Sequence, residues 1–116
     1  PHPNPKEHNM LERIGDRPPA TTIANGATIA IEILEARRFA WIEGAIGADE
    51  ALTVAYQVPG ASGAWVTLGT PLALTADTAD TFVFRSTGLQ ARVLVTNGSG
   101  SIATLSTFEV NGRTEA

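Results

Sequence analysis

Residues 27–34 read ATIAIEIL, and this stretch decides the fold class. Isoleucine occupies every second position, so three apolar side chains share one face of an extended strand while Thr28, Ala30 and Glu32 share the other. The same period of two recurs in ALTVAYQV (51–58), TFVFRS (81–86), LQARVLVT (89–96) and SIATLSTFEV (101–110). Less regular strands are predicted for RRFAWIEGAI (37–46), GAWVTL (63–68) and PLALT (71–75).

The segments between these strands are rich in turn residues. Turn dipeptides occur at Asn25-Gly26, Pro59-Gly60, Asn97-Gly98 and Asn111-Gly112. The polar run LTADTADT (74–81) is predicted to be a further connection. The alternation also places Leu89 and Ile102 on core-facing positions. We therefore predict an all-β fold, an antiparallel sandwich of about eight strands that is jelly-roll-like and spans residues 21–116.

Residues 1–20 differ in composition and are predicted to form an extended, proline-rich N-terminal arm. Proline fixes φ and removes a hydrogen-bond donor, so this segment cannot continue a sheet easily. Asn9 and Glu12 have the spacing of a capping box, which predicts one helical turn over NMLERIG (9–15). The residues expected to bind a partner are Pro3, Pro5, Met10, Leu11, Ile14, Pro18 and Pro19. The alternative is a disordered tail.

Charge and composition exclude several function classes. The net charge is −4, with 8 Lys and Arg against 12 Asp and Glu, so we expect no nucleic-acid partner. The chain has no cysteine, and no apolar run approaches the ~20 residues that span a bilayer. We expect no cofactor and no membrane association. The start at Pro1 fits a chain whose initiator methionine was removed, and we expect an intracellular product.

No catalytic or metal-binding constellation is evident. Both histidines, His2 and His8, lie in the arm, so a histidine base in the body is excluded and a metal site there would need a partner chain. The carboxylate pairs are Glu32 with Glu35, Asp49 with Glu50, and Asp77 with Asp80. None has the convergent spacing of a glycosidase, and TADTAD lacks the ligand density of a calcium loop. We predict no catalytic residue and no metal ligand.

Three aromatic residues are candidates for stacking against a ligand. Trp65, Trp41 and Tyr56 would suit pyranose rings, and Trp65 follows a glycine-rich turn at the start of a strand. Because a sandwich needs large side chains in its core, we expect core packing to be the main use of each.

The stretch YQVPGASGAWVTLG (56–69), followed by TFVFRSTGLQARVLVTNGSGSIATLSTFEV (81–110), resembles small β-sandwich structural proteins of tailed-bacteriophage virions. The resemblance covers roughly residues 50–110, and sugar-binding modules share much of the pattern. It implies a capsid decoration or cement subunit, or a head-fibre base, made in the host cytoplasm and located in the virion. It further implies a homo-oligomer, with a trimer as the simplest case, whose arm binds the major capsid protein or other virion subunits.

Three functions therefore stay open. The first is a non-enzymatic structural virion protein, in the head or the tail, that the arm attaches to the particle. The second is a carbohydrate-binding β-sandwich module, and the third is an enzyme that uses the carboxylates.

Overall fold

The computed structural model describes residues 11–114, which form nine β-strands and one turn of 3-10 helix at Ala36–Arg38. The strands are β1 (Glu12–Arg17), β2 (Thr22–Ile23), β3 (Thr28–Ile33), β4 (Trp41–Ala48), β5 (Leu52–Pro59), β6 (Trp65–Leu74), β7 (Thr78–Arg85), β8 (Ala91–Thr96) and β9 (Ala103–Arg113). Within this part of the chain, no helix has the length and apolarity to cross a membrane.

The strands form two antiparallel sheets that pack face to face as a jelly roll. The first sheet has the order β1-β9-β4-β7, with β2 also paired to β9, and the second has the order β3-β8-β5-β6. Apart from the β5–β6 hairpin, each connection from β3 onward crosses from one sheet to the other, which is the connectivity of a jelly roll. The predicted all-β sandwich is confirmed.

Strands β1 and β2 lie on the same edge of β9 and are separated by Pro18-Pro19. β1 pairs with residues 108–112 of β9, and β2 pairs with Ala103 and Thr104. The prolines interrupt the ladder because they lack N–H donors. Beyond them, the Ala20 amide donates to the Leu105 carbonyl at 2.8 Å, and the Leu105 amide donates to Thr21 at the same distance.

The predicted helical turn over residues 9–15 is wrong where the structure describes it, because residues 12–17 form strand β1. Its pairing with β9 outweighs the local capping pattern. The sheet thus begins at Glu12, inside the range assigned to the arm. Ile14 packs against the core, whereas Leu11, Pro18 and Pro19 are exposed. Pro3, Pro5 and Met10 lie outside the described residues.

Other sequence-based expectations also need correction. The predicted strands at 63–68 and 71–75 are one strand, β6, and Thr78–Asp80 of the predicted connection belong to β7. Asn111-Gly112 lies inside β9, where both residues are paired to neighbouring strands. Leu89 and Ile102 are 60% and 64% exposed because each precedes its strand, so the alternation does not extend to them.

The core lies between the sheets and consists mainly of aliphatic side chains from alternate strand positions. Its largest fully buried members are Tyr56, Phe108, Ile23, Ile33, Ile42, Ile46 and Leu105. Gly44 of β4 faces this core beneath the Phe82 ring, where an added Cβ would lie 2.7 Å from Phe82 Cζ and closer still to the carbonyl oxygen of Glu109. The close approach of β4 to its neighbours therefore requires glycine at this position.

A buried asparagine ties the loops together at one end of the sandwich. Asn97 is fully buried, and its side-chain amide donates to the carbonyls of Ile23 at 2.9 Å and Ser101 at 2.7 Å. Its Oδ1 accepts from the Ser99 amide at 3.1 Å and the Ser99 hydroxyl at 2.7 Å. One side chain thereby joins the end of β2 and the β2–β3 connection to the β8–β9 connection, which crosses between the sheets.

We expect Asn97→Ala to lower the free energy of unfolding by about 3 kcal/mol, because it removes the hydrogen bonds of a fully buried side chain to the Ile23 and Ser101 carbonyls and from Ser99. The matched control is Asn25→Ala in the adjacent loop. Asn25 is exposed and accepts one hydrogen bond, from the Gly100 amide at 3.0 Å, so the expected loss is below about 1 kcal/mol. Urea denaturation of both variants checks the difference. Equal losses of unfolding free energy in the two variants would show that the Asn97 side chain does not stabilise the contact between these loops.

Candidate functional site

The outer face of the second sheet carries a hydrogen-bonded cluster around Trp65. The cross-strand register pairs Gln57 with both Arg92 and Thr67, and it pairs Pro59 with Trp65. Val93 and Val95 of β8 are buried, so Arg92 points to the outer face, and Gln57 lies beside it. The sheet thus brings Trp65, Arg92, Gln57 and Thr67 together, and we call this cluster the Trp65 platform.

The side chains of the Trp65 platform hold one another in place. The Arg92 guanidinium carbon lies over the Trp65 ring, 4.3 Å from its centroid. Arg92 Nε donates to Gln57 Oε1 at 2.8 Å, and Gln57 Nε2 donates to Thr67 Oγ1 at 3.0 Å. Trp65 itself is partly exposed. An apolar ring therefore lies at the surface next to fixed polar groups.

Additional hydrogen-bonding groups lie in and beside the Trp65 platform. The terminal amino groups of Arg92 have no hydrogen-bond partner among residues 11–114. Glu32 lies opposite Arg92 in the register and is exposed, yet the two form no ion pair. The site thus combines unused donors, a free carboxylate and an aromatic ring, which are the groups that orient a polar ligand.

A depression of about 540 Å³ lies at the adjoining end of the sandwich. We call it the end depression, and it is lined by Leu34, Glu35, Arg37, Val58, Pro59, Gly88, Leu89 and Gln90. Leu34 is 70% exposed. The Ala36 amide donates to the Leu89 carbonyl at 2.8 Å, which joins the two walls. Pro59, the register partner of Trp65, connects the depression to the platform.

The three candidate aromatic residues are not brought together. Tyr56 is 1% exposed, stacks on Phe84 at 5.7 Å and donates to the Thr87 carbonyl at 3.1 Å, so it is a core residue. Trp41 lies on the outer face of the first sheet, with the Arg85 guanidinium carbon 5.6 Å from its ring centroid. The expectation of core packing holds for Tyr56 and is wrong for both tryptophans, which are partly exposed.

Most charged side chains on the outer face of the first sheet are paired with one another. Arg13 donates to Glu109 at 2.7 Å and to Asn111 at 2.9 Å. Arg113 pairs with Glu43 at 2.6 Å, and the hydrogen bond and charge of Glu43 raise the pKa of Arg113 above its ordinary value. The exception is Arg85 over the Trp41 ring, which has no carboxylate partner among residues 11–114.

Two of the candidate carboxylates bond to backbone amides in the described part of the chain. Asp49 accepts from the Thr104 amide at 2.7 Å, and Asp80 accepts from the Thr81 amide at 2.8 Å, which are structural roles in loop and strand. No group of three metal-ligating side chains occurs between residues 11 and 114. His2 and His8 lie outside that range.

Sequence reasoning named Trp65 and missed the residues that complete its site. Gln57 and Arg92 lie at outward-facing positions of β5 and β8. The prediction of the core used only the alternate, apolar positions of these strands. The stretch LQARVLVT did indicate an outward-facing functional residue, because Arg92 interrupts an otherwise apolar strand there. Only the register shows that Arg92 and Gln57 are neighbours.

No protein-family model matches the sequence, and no curated protein sequence matches it. Solved structures do share the fold. The PBSX exported protein XepA is 15% identical and aligns over 100% of this chain with a TM-score of 0.63, and the match spans 40% of that chain. A CBM4 structure is 13% identical, with coverage of 89% of this chain and 78% of that chain and a TM-score of 0.60.

A third similar structure is the CBM36-1 domain of a multidomain xylanase from the hindgut metagenome of Trinervitermes trinervoides. It is 10% identical, the match covers 94% of each chain, and the TM-score is 0.52. At these identities the likenesses show a common β-sandwich fold.

Proposed function

We propose that this chain is a non-enzymatic carbohydrate-binding jelly roll and that the Trp65 platform is its binding face. The observation that carries the proposal is the Trp65 ring at the surface, with Arg92 stacked on it and bonded to Gln57. A pyranose presents C–H groups on its face and hydroxyl groups at its edge. An aromatic ring next to fixed donors and acceptors is complementary to both.

The fold comparisons are consistent with this proposal. CBM4 and CBM36-1 are carbohydrate-binding modules by name, and both share the sandwich. The end depression adjoins the platform and is lined by both apolar and polar side chains, and its volume is within the range of small-ligand sites. Together the two features provide room for a short oligosaccharide.

A glycan array followed by calorimetry tests the proposal. We expect the full chain to bind a subset of glycans with a Kd between about 10 µM and 1 mM, since one stacking residue and a few hydrogen bonds form a shallow site. Binding should saturate at one site per chain. Silence across the array, with no heat at millimolar sugar, would reject carbohydrate binding.

A second candidate is a structural virion protein that residues 1–10 attach to a capsid or tail lattice, most simply as a trimer. One geometric observation favours it. Leu11 lines a depression on the outer face of the first sheet, with Ala45, Thr81 and Val83. The N-terminal segment therefore joins the body on the sheet opposite the Trp65 platform, so attachment and glycan binding are compatible in one molecule.

Deleting residues 1–10 tests this second candidate. We expect the truncated chain to keep its melting temperature within about 2 °C, because β1 and all its pairings remain. We expect it to lose sedimentation with assembled particles, whereas the full chain co-sediments. Undiminished particle occupancy of the truncated chain would contradict a role for residues 1–10, and light scattering of the full chain gives the oligomeric number.

A further inference from the structure

We propose that the ligand of the Trp65 platform is an acidic glycan, in which carboxylated pyranose residues are recognised by Arg92 and Arg37. This inference rests on the proposed carbohydrate-binding function and narrows its ligand class. The carrying observation is that two arginines without a carboxylate partner lie at one connected surface.

Arg92 and Arg37 differ from most other arginines of the described chain, although Arg85 on the first sheet also has no carboxylate partner among residues 11–114. Within residues 11–114, Arg13, Arg38 and Arg113 each form an ion pair with a carboxylate. Arg17 donates to the Ala30 carbonyl at 2.6 Å. The arginines that have no carboxylate partner in this range and lie on the second-sheet side are Arg37 in the end depression and Arg92 in the platform.

Arg92 is organised for recognition of a carboxylate before any ligand arrives. Stacking on Trp65 and the bond from Nε to Gln57 fix the guanidinium, so little side-chain entropy remains to be lost on binding. Its terminal amino groups keep their donors unused, and guanidinium groups bind carboxylates through paired N–H bonds. A neutral hydroxyl group would form weaker hydrogen bonds with the guanidinium than a carboxylate does.

Arg37 supplies the second positive charge. It is exposed, and it lines the end depression together with Gln90, two residues before Arg92 on the chain. Glu35 lines the same depression, but its carboxylate lies 3.8 Å from Arg38, which offsets part of its charge. An oligosaccharide across both parts of the surface would place a ring at Trp65 and carboxylates near Arg92 and Arg37.

Glu32 opposes the binding of an anion and therefore gives a specific test. It is exposed beside Arg92 without pairing to it, so its charge repels a bound carboxylate. We expect Glu32→Gln to raise the ratio of acidic-glycan to neutral-glycan affinity by about two- to fivefold, the size expected of a solvent-screened charge.

The decisive experiment is calorimetry of the full chain with oligogalacturonate, oligomannuronate and hyaluronan oligosaccharides, each against its carboxyl-reduced neutral counterpart. At low salt we expect at least one acidic oligosaccharide to bind about tenfold or more tighter than its neutral counterpart, and this difference in affinity to shrink at 0.5 M NaCl.

Arg37→Ala, which leaves the Trp65 platform intact, should remove most of the difference in affinity between the acidic oligosaccharide and its neutral counterpart. Arg85→Ala, on the first sheet, should keep it.

The possible outcomes distinguish the acidic-glycan inference from the proposed carbohydrate-binding function. Equal affinity for every acidic and neutral pair overturns the acidic-glycan inference and leaves carbohydrate binding standing. An acidic preference that survives both 0.5 M NaCl and Arg37→Ala also overturns it. If no oligosaccharide of either kind binds here or on the array, the proposed function fails as well.

Discussion

Replacing Trp65 by alanine is expected to weaken glycan binding by roughly thirtyfold, which corresponds to about 2 kcal/mol. The substitution removes the stacking surface and also the ring over which Arg92 is held at 4.3 Å. The folded state should lose little, because Trp65 lies on the outer face and is partly exposed. Calorimetric titration of the variant against the best array ligand measures the loss.

Trp41 provides a matched control for this prediction. It is also a partly exposed tryptophan with an arginine over its ring, at 5.6 Å, but it lies on the first sheet. Trp41→Ala should bind the same ligand with unchanged affinity, and Trp65→Phe should keep part of the binding. A loss in Trp41→Ala with full affinity in Trp65→Ala would move the site to the other sheet.

The second large effect concerns where the folded body begins. Deleting residues 1–19 removes β1, and we expect the free energy of unfolding to fall by at least about 3 kcal/mol or the chain to fail to fold. The deletion removes the pairing with β9, the bonds from Arg13 to Glu109 and Asn111, and the packing of Ile14 against the core. It also removes the 2.6 Å hydrogen bond from Arg17 to Ala30, which connects the two sheets.

The control is the deletion of residues 1–10, which keeps all of these contacts and should unfold at nearly the same urea concentration as the full chain. A deletion of residues 1–19 that is as stable as the full chain would show that β1 contributes nothing to the body. It would also restore a boundary at residue 20, as the composition alone predicted.

The strands that sequence reasoning found are those with strong alternation, and β1 shows why one was missed. ERIGDR contains one β-branched residue, four charged residues and a glycine, so nothing local favours a strand. The capping-box spacing of Asn9 and Glu12 favoured a helical turn instead. The strand forms because β9 presents an unpaired edge, which is tertiary information that a short window cannot contain.

Proline and glycine led to two further differences. Two strands were predicted at 63–68 and 71–75, but β6 runs through Pro71, because β6 is an edge strand and Pro71 lies in a register shift of the β5–β6 ladder, where it has no pairing partner. Asn111-Gly112 has the composition of a turn, but Gly112 lies beneath the Phe39 ring, where a side chain would collide with it. In both places the structure depends on a contact between strands that the local sequence does not show.

The candidate site also depends on contacts between residues that are distant in the sequence. Trp65 was identified from its position after a glycine turn, whereas its partners depend on the pairing of β5 with β6 and β8. Grouping Trp65 with Tyr56 and Trp41 assumed that aromatic residues gather on one face. The pleat instead sends Tyr56 into the core, and the jelly-roll connectivity places Trp41 on the opposite sheet.

Amide chemical-shift mapping during a glycan titration shows directly which face binds the glycan. We expect the largest shifts at residues 57, 65, 67 and 92 and at the Trp65 indole N–H, while the Trp41 indole signal stays in place. Shifts concentrated on β4, β7 and β9 of the first sheet, or no shifts at saturating glycan, would contradict it.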